Sequence, residues 1–193
     1  ERVKPVLMVN KVDRGILELQ MDGEDMYNQF RSVVENVNVI VSMYMDDKIG
    51  DIQLDPSVGT VAFGSGLHQW AFTLETFARI YGKKFGIETS KMMKRLWGDN
   101  FFDHESKKWK TEGVSASGKP IGRAFCQFVI DPIARMINAC MNDKIDEVEK
   151  LLKSLKISIT SDDRDLRQKK LMKKVMQTWL PAHNALLEMM ILH

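Results

Sequence analysis

The stretch Pro5-Val6-Leu7-Met8-Val9-Asn10-Lys11-Val12-Asp13 constrains this chain more than any other. A short apolar run bounded by polar residues suits a strand buried on both faces of a parallel sheet. In open α/β sheets, ligands sit just beyond the carboxyl ends of the strands. The run therefore delivers an amide (Asn10), an ammonium (Lys11) and a carboxylate (Asp13) to the place where a ligand is expected. The expected fold class is α/β.

Those three side chains have a shared chemical use. The N1–H and N2–H₂ of guanine are adjacent donors that one carboxylate, Asp13, accepts together. Adenine has no such pair and would leave a buried carboxylate unpaired. By analogy with bidentate base readout, that discrimination is worth roughly 1–3 kcal/mol, and unpaired burial adds to it. Asn10 can hold a purine N7 or tie neighbouring loops together, and the Lys11 stem can lie along the base face. A lone Asn-Lys-x-Asp also occurs at ordinary strand exits, so the tetrad does not decide by itself.

A second stretch narrows the choice. Thr60-Val61-Ala62-Phe63-Gly64-Ser65-Gly66-Leu67 again runs from strand-like residues into a turn of small residues. Guanine readout needs a backbone N–H at the base O6 and a hydroxyl to steady the carboxylate, and Gly66 and Ser65 supply that chemistry. Glycine at this point also permits close backbone approach.

The rest of the chain divides in two by charge. Residues 1–81 carry 7 Lys and Arg against 12 Asp and Glu, a net of −5, whereas residues 82–193 carry 21 against 14, a net of +7. Such asymmetry suits either an acidic partner or a solvated helical surface. Apolar residues at three and four predict a helix through Met26, Tyr27, Phe30, Val33, Val34, Val37 and Val41. Gly15 and the segment near Met21-Asp22-Gly23-Glu24 read as loop and helix entry, the acidic run Asp46–Asp51 as a polar loop and Asp55–Gly59 as a turn. Trp70, Phe72, Leu74, Phe77, Ile80 and Tyr81 predict one helix, loosened at Gly82 and Gly86 before a short helix through Met92 to Trp97. A hairpin is expected over Phe101–Lys110, helices over Phe125–Met141 and Asp146–Leu155, and a short strand over Lys156–Thr160. Ser161–Asp165 reads as a helix cap rather than a metal site. A helix through Leu171 to Leu180 follows. Pro181 kinks it or opens another, whose apolar face would be Leu186, Leu187, Met190 and Ile191.

Several chemistries are excluded. Cys126 and Cys140 are fourteen apart, without metal or redox spacing, and read as two buried free thiols. Gly113-Val114-Ser115-Ala116-Ser117-Gly118-Lys119 imitates a phosphate loop, but Pro120 stands where a hydroxyl should bind magnesium and removes a backbone N–H. No apolar strand precedes it. His68, His104, His183 and His193 lack catalytic partners in sequence, and only His68, just after Ser65-Gly66-Leu67, has a claim on the site. No run approaches the ~18 apolar residues of a membrane span.

Read together, these stretches resemble the elongation factor 2 family of translational GTPases. The resemblance rests on Asn10-Lys11-Val12-Asp13-Arg14, Val34-Glu35-Asn36-Val37-Asn38-Val39-Ile40 and Gly64-Ser65-Gly66-Leu67-His68-Gln69-Trp70-Ala71-Phe72. It continues through Leu96-Trp97-Gly98-Asp99, Phe125-Cys126-Gln127, Asp131-Pro132-Ile133 and Trp179-Leu180-Pro181-Ala182, collinear over essentially all 193 residues. It implies a partial P-loop GTPase sheet, the C-terminal half, carrying a helix-rich α+β insert. Residues 1–71 would hold the guanine motifs, 72–176 the insert called G′, and 177–193 the helix returning to the G domain. The chain, starting at Glu1 without an initiator Met, is then expected to be a piece of a longer protein. Its implied guanine site is Asn10, Lys11, Asp13, Ser65, Gly66 and Leu67.

GTP or GDP is the implied ligand of the intact protein. The Mg²⁺ expected there would be held by segments outside this chain, as would the phosphate loop and switches that hydrolysis requires. The family drives ribosomal translocation in the cytoplasm. Its insert meets the acidic stalk proteins of the ribosome, for which Lys150, Lys153, Lys156, Lys169, Lys170, Lys173 and Lys174 are candidates. Contact of the intact protein with rRNA is compatible with the resemblance, and neither a membrane nor DNA is expected as a partner. Two alternatives stay open: the same region of a paralogous spliceosomal or ribosome-maturation GTPase, and a pure interaction module whose half-pocket binds no nucleotide.

Overall fold

The computed structural model describes residues 3–44 and 52–193, so the acidic run Asp46–Asp51 lies outside the described residues. The architecture is α/β, with two small sheets among many helices. Strand β1 (Leu7–Val9) leads into the short helix α1 (Val12–Leu17), so Gly15 is helical rather than loop. Helix α2 (Gly23–Ser42) starts where the Asp22 carboxylate accepts the Asp25 N–H at 2.8 Å, satisfying one of the free donors of its first turn. Its inward face is Met26, Tyr27, Phe30 and Val34, as the helical spacing predicts.

A 3₁₀ turn at Pro56–Val58 precedes β2 (Val61–Ser65), which pairs in parallel with β1, Leu7 opposite Val61 and Val9 opposite Phe63. In β1 only Val9 is buried, and Leu7 and Met8 are half-buried because β2 is its sole partner among the described residues. The chain then departs from expectation. Trp70–Thr73 is not helix but β3, antiparallel to β2 with Phe63 opposite Phe72. Its apolar residues occur both at period two and at helical spacing, so the sequence pattern was ambiguous. Helix α3 (Leu74–Phe85) starts only after this strand. Gly82 does not loosen it: the residue is buried inside the helix, where a Cβ would lie 2.7 Å from the Ile87 carbonyl oxygen. Gly86, at φ 64°, ends the helix.

Helix α4 (Thr89–Arg95) leads to the hairpin β4 (Phe101–Asp103) and β5 (Lys108–Lys110). A π turn at Cys126–Ile130 runs without a break into α5 (Asp131–Met141), which carries Pro132 as its second residue. Helices α6 (Ile145–Leu155), α7 (Ser161–Arg164), α8 (Gln168–Trp179) and α9 (Ala182–Leu192) complete the chain. Lys156–Thr160 forms no strand. Ile157 and Ile159 keep the in-and-out alternation, but no neighbouring strand offers a ladder and Lys156 sits at φ 56°. Thr160 and Asp163 form a reciprocal capping box on α7, in line with a cap rather than a metal site. On α9 the inward residues are Ala185 and Met189, whereas Leu187, Met190 and Ile191 face out.

A single apolar cluster runs from Val9 to Leu180. The boundary drawn at 71/72 falls inside β3, and that at 176/177 falls inside α8. The β2–β3 pair is drawn tight at Gly64, where a Cβ would come within 2.2 Å of the Trp70 carbonyl oxygen. Gly64→Ala should therefore cost about 1–3 kcal/mol in urea unfolding. Gly122→Ala, whose Cβ would meet only Gln127 Cγ at 3.6 Å, should stay within about 0.5 kcal/mol. Equal stability of the two variants would contradict this close approach.

Candidate functional site

The two motifs lie at the carboxyl ends of adjacent parallel strands. β1 ends at Val9 and hands on to Asn10, and β2 ends at Ser65. A cleft of about 250 Å³ between them is lined by Asn10, Lys11, Asp13, Ser65 and Leu67, with Arg14 and Glu18. That volume is below the usual range for whole drug-sized ligands and suits a single base. All six residues named from sequence are thus brought together, five lining the cleft and Gly66 bonded to one of them.

Asn10 is the clasp. Its side-chain oxygen accepts the Gly66 N–H at 2.8 Å and the Lys11 N–H at 2.7 Å, fastening one strand exit to the other across 56 residues of chain. Of the two roles open to Asn10, tying loops is the one observed. It has a consequence for Gly66: the N–H expected at a base O6 is engaged by Asn10 here. Lys11 occupies the left-handed region at φ 69°, ψ 31°, a conformation that L residues adopt at a cost and that clusters at functional sites. Asp13 follows in the first turn of α1 and is buried. Ser65 is buried as well, and its hydroxyl oxygen accepts the His68 N–H at 3.1 Å, capping the turn rather than reaching Asp13 by any hydrogen bond. Leu67 is 77% exposed at the rim.

Two residues of the site are harder to read from sequence. The His68 Nε2 lies 3.4 Å from Asp13 Oδ2, which gives the histidine the partner that its sequence neighbours lack. Gln177, on α8 and more than a hundred positions away, donates to the His68 carbonyl at 3.2 Å and to Gln69 Oε1 at 3.0 Å. Leu180 accepts the Ala71 N–H at 3.0 Å. The turn 65–69 is thereby held from behind by the last part of the chain.

The imitation phosphate loop is closed to phosphate. Ser115 N donates to the Lys119 carbonyl, Lys119 N to Ser115 Oγ, and Ala116 N to Asp103 Oδ2 at 2.8 Å. An anion here would meet the Asp103 carboxylate, which hydrogen bonds from the Ser106 hydroxyl and neighbouring amides hold well below the usual carboxylate range. No helix starts at Pro120. The thiols are equally inert. Burial first, and Glu24 beside it, push Cys126 up to about 12, and burial alone does so for Cys140. Among the described residues no group of three or more His, Cys, Asp or Glu side chains could hold a metal ion.

A larger groove, about 880 Å³, lies between α6, the segment 156–160 and α8. Val148, Leu152, Ile157, Ile159 and Leu171 form its apolar lining, and Lys150, Lys153, Lys156 and Arg164 supply cations beside Asp146 and Glu149. Three of the seven candidate lysines therefore line it. Lys174 instead pairs with Asp163 at 3.3 Å. No helix among the described residues is long and apolar enough to cross a membrane. No family model matches the chain.

If Asn10 is the clasp between the two strand ends, Asn10→Ala should destabilise by about 1 kcal/mol. Amide exchange at Gly66 should accelerate at the same time. Unchanged protection of Gly66 in that variant would show that the turn holds itself.

Proposed function

We propose that this chain is the guanine-recognising part of a translational GTPase of the elongation factor 2 type. The same-region paralogues of splicing or ribosome maturation are its nearest rivals. The observation that carries the reading is the convergence of Asn10, Lys11, Asp13, Ser65 and Leu67 on one base-sized cleft at the ends of two parallel strands. Asp13 is the guanine receptor, Asn10 clasps the two loops, and the Lys11 stem flanks the base. Ser65 and Gly66 shape the opposing turn. In the intact protein GTP or GDP binds here, with phosphates and Mg²⁺ held by other segments, and hydrolysis drives translocation on the cytoplasmic ribosome.

Calorimetric or NMR titration with GDP, using ADP as control, tests this directly. GDP should bind weakly but selectively, and Asp13→Asn should reduce that binding by about ten- to a hundredfold, the equivalent of roughly 1–3 kcal/mol. Equal binding of GDP and ADP would sink the guanine assignment.

A second reading has its own support. The basic, apolar-floored groove of the insert favours an acidic protein segment as partner, as the ribosomal stalk would offer. Binding of an acidic stalk-tail peptide should weaken steeply between about 0.05 and 0.3 M salt, because exposed charge contacts are screened over that range. It should also fall on Lys153→Glu. Salt-independent binding, or none, would count against this role for the insert.

A further inference from the structure

We propose that His68 is a positioning residue that controls, through its own protonation, how far Asp13 is available to a guanine base. The proposal rests on the guanine reading of the cleft and adds to it a proton-sensitive partner.

The geometry has three parts. First, His68 Nε2 stands 3.4 Å from Asp13 Oδ2, and the two side chains are only 12% and 10% exposed. Second, the histidine backbone is fixed on both sides: its N–H is given to Ser65 Oγ, and its carbonyl is held by Gln177 of α8. The ring is therefore carried by a braced turn rather than by a free loop. Third, the other charged groups that line the cleft are Lys11, Arg14 and Glu18, all on the α1 side. Arg14 and Glu18 on the α1 side pair with each other at 2.6 Å, Lys11 is exposed at the α1 N-cap, and Gln69 and Gln177 on the opposite side are uncharged.

The chemistry follows from counting lone pairs. Guanine needs both carboxylate oxygens of Asp13, one for N1–H and one for N2–H₂. A neutral imidazole leaves the full negative charge to the base. An imidazolium at Oδ2 forms an ion pair in a poorly solvated cleft and competes for the same oxygen. Base affinity should therefore be higher with the imidazole neutral than with it protonated, and should fall on acidification.

Two measurements on the full chain test the proposal. In the first, the His68 ring is titrated by NMR without nucleotide. Asp13→Asn should lower its midpoint, because the carboxylate that favours the imidazolium is gone. In the second, GDP is titrated against ADP at about pH 8 and about pH 5.5, where we expect a loss of about five- to tenfold in GDP affinity at the lower pH. His68→Gln, which sets an uncharged amide beside the carboxylate, should abolish that slope, and His68→Asn should do the same if the glutamine variant folds poorly. An unmoved ring midpoint in Asp13→Asn overturns the proposal. So does pH-independent GDP binding, or a slope that survives in both His68 variants. Absence of GDP-selective binding at both pH values overturns the guanine reading itself and the proposal with it. The two failures are therefore distinguishable.

Discussion

The burial of Phe63 is the contact on which the rest of the structure depends. Its ring meets Phe30 of α2 at 5.1 Å, Phe72 of β3 at 5.6 Å, Phe125 at 5.8 Å and Trp97 at 5.9 Å. Those partners come from both sides of the charge divide. Offset and tilted aromatic pairs of this kind contribute roughly 0.5–1.5 kcal/mol each beyond the area they bury. Phe63 also lies one residue before Gly64 and two before Ser65. The position of the second motif is consequently set by packing between the strand that carries it and the helices that follow.

A buried ionic contact reinforces this union. Arg123 lies over the Tyr27 ring at 4.1 Å, bonds Glu24 of α2 at 2.8 Å and Asp99 at 2.7 Å, and donates to the Gly98 carbonyl. Burial alone would pull its pKa down, but the hydrogen bonds to Glu24 and Asp99 outweigh that and raise it. Replacing such a group with an apolar one can be neutral, whereas removing one partner leaves a desolvated charge and is costly. Residues on both sides of the charge divide share one apolar core.

Much of this was legible in the sequence, for identifiable reasons. Apolar runs that end in Asn10-Lys11-Val12-Asp13 and in Ser65-Gly66-Leu67 announced two strand exits, and strands exiting on the same side of a parallel pair must bring their loops together. The long helix α2 followed from spacing, and the loop at Gly113–Lys119 was excluded by Pro120 and by the polar residues before it. Trp70–Thr73 was misread because period two and period 3.6 coincide over four residues. The outward apolar face of α9 was misread because spacing identifies an apolar stripe without saying which side meets the core. His68 had a claim on the site from its place just after Ser65-Gly66-Leu67, but its contact with Asp13 and the Gln177 brace depend on how distant elements pack.

The arrangement separates selectivity from affinity. On the proposed reading, the cleft presents a carboxylate for the base edge and a lysine stem for its face, but nothing that grips phosphate. A base alone offers few contacts against the entropy lost on binding. Selectivity would then reside in this part of the chain and most affinity in the segments that hold phosphate. The turn that completes the cleft is held by Gln177 and by the Ala71–Leu180 hydrogen bond, both from the last part of the chain. On the proposed reading, residues 72–176 stand between the turn and its brace, so the geometry of the base site would depend on how that stretch is seated.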